Sequence, residues 1–292
     1  MLTEQQNPRT AEIDRLDTLD MLRIINDEDQ RVALVVREAL PDIARAVDAI
    51  AAAFAAGGRL IYVGAGTSGR LGILDAVECV PTFNTPPEQV QGLIAGGAAA
   101  VTRSVEGAED RREAGADDLR ALDLSQRDVV VGIAASGTTP YVIGALAYAA
   151  QVGAVTVGIS CNVPAPVLTL AQVPIGLPVG PEVITGSTRL KAGTAQKLVL
   201  NMLSTASMIC SGKVYGNLMV DVQVTNDKLA HRARRIVQQV TGVDEATAAD
   251  LLQRAGQSAK VAIVMARRGV DAEAARSLLS AAGGHLRKVI EP

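Results

Sequence analysis

The sequence predicts an α/β protein: a doubly wound three-layer sandwich on a mainly parallel five-stranded sheet, preceded by helices and followed by a small helical domain. Three observations carry this. Five short apolar runs, "RLIYVG", "VQGLIAG", "DVVVGIA", "AVTVGIS" and "PIGLPV", are continuous rather than alternating, as strands buried on both faces are. Helical stretches around 68–77, 110–121 and 139–151 lie between most of them, giving the βαβ rhythm of a parallel sheet. After about Arg235 the pattern changes to three short helical segments, each ended by Gly.

The elements follow in order. Leu16, Leu19, Leu22 and Ile25 recur at near-helical spacing, and a second helix is expected from about Asp29 to Phe54. "AAGGRL" breaks it and delivers the first strand at Leu60–Val63. A long helix is expected from Ser187 to about Ser211, entered through the Gly-rich loop "VGPEVITG". In the last segments, Asp244 and Asp271 stand where helix N-caps belong. The expected domains are residues 1–50 (N-terminal helices), 51–225 (the α/β domain) and 226–292 (the helical appendage).

Composition narrows the function. With 28 basic and 31 acidic residues the net charge is −3, which gives no reason to expect nucleic acid or an anionic membrane as partner. Two Phe, four Tyr and no Trp leave little for base or sugar stacking. Cys79, Cys161 and Cys210 are widely spaced, and only His231 and His285 accompany them, so neither a disulfide framework nor a zinc site is expected. The polar, acidic start has no signal-peptide pattern, and no apolar run is long enough to span a bilayer. The expectation is a soluble cytoplasmic protein.

The stretch "IYVGAGTSGRLG" satisfies G-x-G-x-x-G at Gly64, Gly66 and Gly69. A dinucleotide site also wants an acidic residue at the end of the second strand, for the ribose hydroxyls. Here that strand ends "GLIAGGAAA", without a carboxylate, and Glu88 precedes the strand at its wrong end. Thr67 and Ser68 instead put hydroxyls beside a helix N-terminus. The third strand runs into "AASGTTPY", where Ser136, Gly137, Thr138 and Thr139 precede a helix with Pro140 near its start. Exposed N–H groups and the helix dipole make each corner a phosphate cradle. One such corner is an ordinary N-cap; two on one sheet edge point to a phosphorylated small ligand.

"GAGTS" followed by "SGTT" resembles the sugar isomerase (SIS) fold, a phosphosugar-binding domain. The stretches "GRLIYVGAGTSGRLGILDAVEC", "VEGAED", "VVVGIAASG" and "STRLKAGTAQKLVLNMLSTASMI…GKVYGNLMVDV" resemble, across nearly the whole chain, the N-acetylmuramic acid 6-phosphate etherase family. The resemblance implies cleavage of a lactyl ether to D-lactate and N-acetylglucosamine 6-phosphate, by elimination and then water addition. That chemistry needs two carboxyl groups and neither a metal nor a redox cofactor.

By resemblance Glu78 in "LDAVEC" is the proton donor. Glu109 in "SVEGAED" is the second catalytic glutamate, most simply the general base. Phosphate is assigned to Ser68, Ser136 and Thr139, with Thr67, Gly137 and backbone N–H groups assisting. Glu182 and Lys191, at the entrance of the long helix, would meet sugar or lactate; helix capping and a surface position are open to them as well. Cys79 reads as packed rather than nucleophilic. Two departures stand out: Thr138 where the family usually has Arg, and Val80–Pro81 where it usually has two prolines.

Eleven helical residues span roughly 16 Å, too far for Glu78 to serve a small sugar at the start of its own helix. Either that helix ends early and folds back, or Glu78 serves a neighbouring subunit; a homodimer with a shared site is the expectation. A phosphosugar-sensing regulator and an aldose–ketose isomerase are the alternatives on the same fold. Glu78 and Glu109 together favour the etherase.

Overall fold

The computed structural model describes residues 1–222 and 227–291. Two compact units divide the chain: residues 1–77 with 87–204, and residues 78–86 with 205–292. The boundary expected between residues 225 and 226 lies outside the described residues.

In the first unit, three short 3₁₀ turns lead into α1 (Thr18–Glu38) and α2 (Leu40–Ala55). The first helix therefore runs nine residues past the Asp29 at which a new helix was expected to begin. The break falls at Ala39, where Pro41 enters the first turn of α2 and removes a backbone donor. The periodic leucines misled in a second way. Leu19 and Leu22 are exposed, and the buried positions of α1 are Glu28, Val32 and Val36.

The sheet comprises β1 (Leu60–Gly64), β2 (Val90–Ile94), β3 (Val129–Ile133), β4 (Val155–Ser160) and β5 (Val173–Gly176), all parallel, in the order β2-β1-β3-β4-β5. Between them run α3 (Gly66–Phe83), α4 (Ala99–Thr102), α5 (Arg112–Ala121), α6 (Pro140–Val152) and α7 (Pro166–Leu170); α8 (Lys191–Cys210) follows the last strand. The single-turn helices α4 and α7 were not expected, and α3 runs through Pro81 to Phe83, well past the expected end near residue 77.

Every residue of β1 and β3 is buried, which explains why those runs are apolar throughout. Ile61, Val63 and Val130 join Val142, Leu146 and Leu119 in the core under α5 and α6. Tyr62 and Ile133 point the other way, where a Cβ on Gly72 of α3 would stand 2.8 Å from Tyr62 Cβ. Helices thus cover both faces, and each fully buried Val, Ile or Leu contributes on the order of 1.5–3 kcal/mol.

At the amino edge of the sheet, Asp128 accepts from Arg59 N, Nε and Nη2 and from Ser125 N and Oγ. This lock ties the entry of β1 to that of β3. Burial pushes the Asp128 carboxyl up, but the Arg59 guanidinium and the backbone N–H of Ser125 outweigh it and hold it below the usual range.

The second unit contains α9 (Asp227–Thr241), α10 (Glu245–Arg254), α11 (Ala259–Arg268), α12 (Ala272–Ala281) and α13 (Leu286–Ile290). Its core joins Ala233, Ile236, Leu251, Ile263, Leu279 and Leu286. Asp244 and Asp271 cap their helices as expected, accepting from Thr247 N and Ala274 N. The sequence reading missed α9. No helix among the described residues is long and apolar enough to cross a membrane.

Candidate active site

The strand order reverses direction between β1 and β3, the point in an open parallel sheet where a crevice forms at the carboxyl ends. Gly64 and Ile133, the last residues of these strands, are in register. Both hydroxyl-bearing corners therefore leave the sheet side by side.

At the first corner a Cβ on Gly64 would stand 2.7 Å from Gly69 N, and one on Gly69 would stand 2.8 Å from Gly64 O. Only glycine at both positions lets α3 start in contact with β1. Gly66 opens the helix at φ +53°, with space around it. The N–H groups of Gly66, Thr67 and Ser68 lie in the first turn, where helical donors lack helical acceptors. Ser68 is buried, and its Oγ donates to Gln196 Oε1 on α8 at 2.9 Å. Gln196 is fully buried, and its Nε2 has no hydrogen-bond partner among the described residues.

At the second corner Gly137 has φ +75°, and a Cβ there would come within 2.3 Å of Ala165 Cβ. Ser136 Oγ lies 3.2 Å from both the N–H and the hydroxyl of Thr138, which donate to it. Thr139 occupies the N-cap of α6, yet its hydroxyl makes no capping bond. One expectation needs correction. The start of α6 does not present free N–H groups at its first two positions: Pro140 has none, and Tyr141 N donates to Glu109 O at 3.0 Å.

That last bond carries a consequence for Glu109, because it fastens the residue's backbone to the second corner. The Glu109 side chain is exposed, and its carboxylate has no hydrogen-bond or ion-pair partner among the described residues. A cavity of about 140 Å³ connects it to the first corner, lined by Ala65, Gly66, Arg70, Ser104, Glu106 and Glu109 among others. Geometry therefore brings Glu109, both corners and Arg70 to one edge.

Glu78 lies on α3, exposed, and belongs to the second unit. The helix neither ends early nor folds back before it, which removes one of the two routes considered for this residue. Cys79 is packed inside, as expected. Cys161 is also buried, and burial together with nearby Glu182 pushes its thiol up to about 12.

Glu182 and Lys191 are both inaccessible. Glu182 Oε2 accepts from Lys191 N and Oε1 from Ala192 N, so this carboxylate caps α8, one of the roles open to it in the sequence. Burial raises its pKa, and the two N–H groups counter that only in part. Lys191 Nζ pairs with Glu28 Oε2, and Arg9 and Arg31 approach Oε1 of the same carboxylate. A buried ion pair is the opposite of the surface position also considered for Lys191. The sequence reading missed Gln196, Arg70 and Glu28. Arg70 directly follows the glycine loop, but no local signal separates a cavity-lining arginine from a solvated one.

Residues 42–150 match the family model of the glucokinase regulatory protein N-terminal SIS domain, and residues 216–261 match the C-terminal lid domain of glucokinase regulatory protein. A phosphoheptose isomerase from Francisella tularensis superposes with a TM-score of 0.51 over 66% of this chain and 98% of that one. At 16% identity this is a likeness of fold alone. Fold and corners together define a SIS-domain protein. The chain is also 58% identical over 290 residues to an N-acetylmuramic acid 6-phosphate etherase of Vibrio vulnificus (strain YJ016), covering 99% of this chain and 97% of the relative. The etherase of Aeromonas hydrophila subsp. hydrophila is 57% identical over 286 residues, covering 98% and 96%. The chain belongs to the N-acetylmuramic acid 6-phosphate etherase family.

Proposed function

We propose that this protein cleaves the D-lactyl ether of N-acetylmuramic acid 6-phosphate, releasing D-lactate and N-acetylglucosamine 6-phosphate, in the cytoplasmic recovery of peptidoglycan amino sugars. The observation that carries the site assignment is the backbone bond from Tyr141 N to Glu109 O. It holds an unpartnered carboxylate beside the corner that bears Ser136 and Thr139.

The sugar phosphate rests on Thr67, Ser68, Ser136, Gly137 and Thr139, with the N–H groups of the first turn of α3 adding their dipole. In the open-chain sugar the aldehyde acidifies the proton on carbon 2. Glu109 removes that proton; the electron pair moves into a carbon 2–carbon 3 double bond, and the carbon 3–oxygen bond to lactate breaks. Glu78 donates the proton that the departing lactyl oxygen takes up. Water then adds its hydroxyl at carbon 3 and a proton at carbon 2, so the net change is consumption of one water. Glu182 and Lys191 serve by fixing the start of α8 rather than by touching substrate.

Glu78 acts, in this reading, in the site of a partner subunit of a homodimer. Glu78 lies on α3 (Gly66–Phe83), and Leu74 and Val77 on the same helix are 54% and 61% exposed. Free D-lactate released from the ether tests the activity and separates it from isomerisation, which leaves the substrate's mass unchanged. Mixing Glu78→Ala subunits with Ser68→Ala subunits tests the shared site. Partial recovery of activity is expected, and no recovery refutes the sharing.

A further inference from the structure

The proposed substrate carries two anions, a phosphate and the lactyl carboxylate. Hydroxyls and helix N–H groups answer the phosphate, but nothing described so far answers the carboxylate. The need is acute on binding, because a base that is to take the carbon 2 proton must be an anion when the substrate arrives, and a second carboxylate brought in beside it needs a cation to answer it. We propose that Arg70 is the residue that recognises the lactyl carboxylate, in the cavity it shares with Glu109; this rests on the etherase reading above.

Three observations support it. Arg70 lines the same cavity as Gly66, Glu106 and Glu109, so it shares that space with the phosphate corner and the base. Its guanidinium is fixed by backbone carbonyls, Nε donating to Val101 O at 3.0 Å and Nη2 to Arg103 O at 3.3 Å. Those two bonds leave three of the five guanidinium N–H donors unused, including one on each terminal nitrogen, the pair that grips a carboxylate in bidentate fashion.

The charge is also uncommitted. No carboxylate among the described residues lies within ion-pair distance of Arg70, although two glutamates line the same cavity. Glu106 is turned to Ser104, whose Oγ donates to its Oε1. Size agrees with the assignment. The cavity, of about 140 Å³, has room for a small carboxylate beside Arg70.

The test compares two ligands that differ by the lactyl group. In a Glu109→Gln background, which keeps the ether intact, calorimetry measures binding of N-acetylmuramic acid 6-phosphate and of N-acetylglucosamine 6-phosphate. Arg70→Met is expected to weaken the first by roughly 10- to 100-fold, the loss of one charged bidentate contact, and the second by less than about twofold. Arg70→Lys keeps the charge but not the fork, and is expected to lose selectively, though less. Equal loss for both ligands in both variants, or no loss for either, overturns the assignment. If the unmodified enzyme releases no D-lactate from the ether, the etherase reading itself has failed, and that outcome is distinct from an active enzyme indifferent to Arg70.

Discussion

The two edges of the sheet treat polar groups in opposite ways. At the amino edge Asp128 takes bonds from Arg59 and Ser125, and the guanidinium also donates to Leu122 O and Asp123 O. At the carboxyl edge groups are left open. The Glu109 carboxylate, the Thr139 hydroxyl and Gln196 Nε2 lack side-chain partners among the described residues, and Arg70 has no counter-charge. A buried group without a partner, as Gln196 Nε2 is, costs about 1–3 kcal/mol. In the proposed function the first edge holds the fold and the second receives the ligand.

Breaking the open edge should abolish chemistry without harming the fold. Glu109→Gln is expected to lower kcat by roughly 10²- to 10⁴-fold, with the thermal midpoint nearly unchanged because no bond is lost. Breaking the closed edge should do the reverse. Asp128→Ala leaves Arg59 without its partner and is expected to cost about 3–5 kcal/mol, read as a fall of the urea midpoint, while kcat per folded molecule holds.

The same residue gives a pH prediction. A carboxylate whose folded pKa is depressed stabilises above its unfolded value of about 3.9, and that contribution is lost as pH falls through the folded value. Unfolding followed between pH 6 and pH 2 should therefore be steeper in the unmodified protein than in Asp128→Asn.

Smaller effects sharpen the contrast. Gln196→Leu removes both the unpartnered Nε2 and the acceptor that orients Ser68 Oγ. Stability is expected to change by less than about 1 kcal/mol, while affinity for N-acetylglucosamine 6-phosphate falls roughly five- to tenfold, about the worth of one hydrogen bond. Thr139→Ala should be milder still. With no capping bond to lose, its stability stays within about 0.5 kcal/mol, and only KM rises, by a few-fold.

The sheet was legible because its strands are buried on both faces, and burial on both faces writes itself into the sequence as unbroken Val and Ile. The corners were legible for a related reason: Gly64, Gly69 and Gly137 stand where any side chain would collide with backbone or neighbours. What could not be read is long-range pairing. Lys191 and its partner Glu28 are 163 residues apart, and Ser68 and Gln196 are 128 apart; no local pattern joins either pair. The inner face of α1 misled because its deepest residue is Glu28, a carboxylate held by Lys191, Asn7 and Arg9, whereas its most periodic leucines face outward. Burial raises the Glu28 pKa, but Lys191 and the other donors outweigh that and leave it lowered. Glu109 was found only through its resemblance to a family, since its surroundings in sequence are simply acidic.

The central claim is that the ether is broken at carbon 3 by elimination and restored as an alcohol by water. Turnover of N-acetylmuramic acid 6-phosphate in heavy-oxygen, deuterated water tests it most directly. The account predicts deuterium at carbon 2 and solvent oxygen at carbon 3 of the N-acetylglucosamine 6-phosphate formed, with formation of that product itself lost when Glu109→Gln is used. Product that keeps the original ether oxygen on carbon 3 would contradict it.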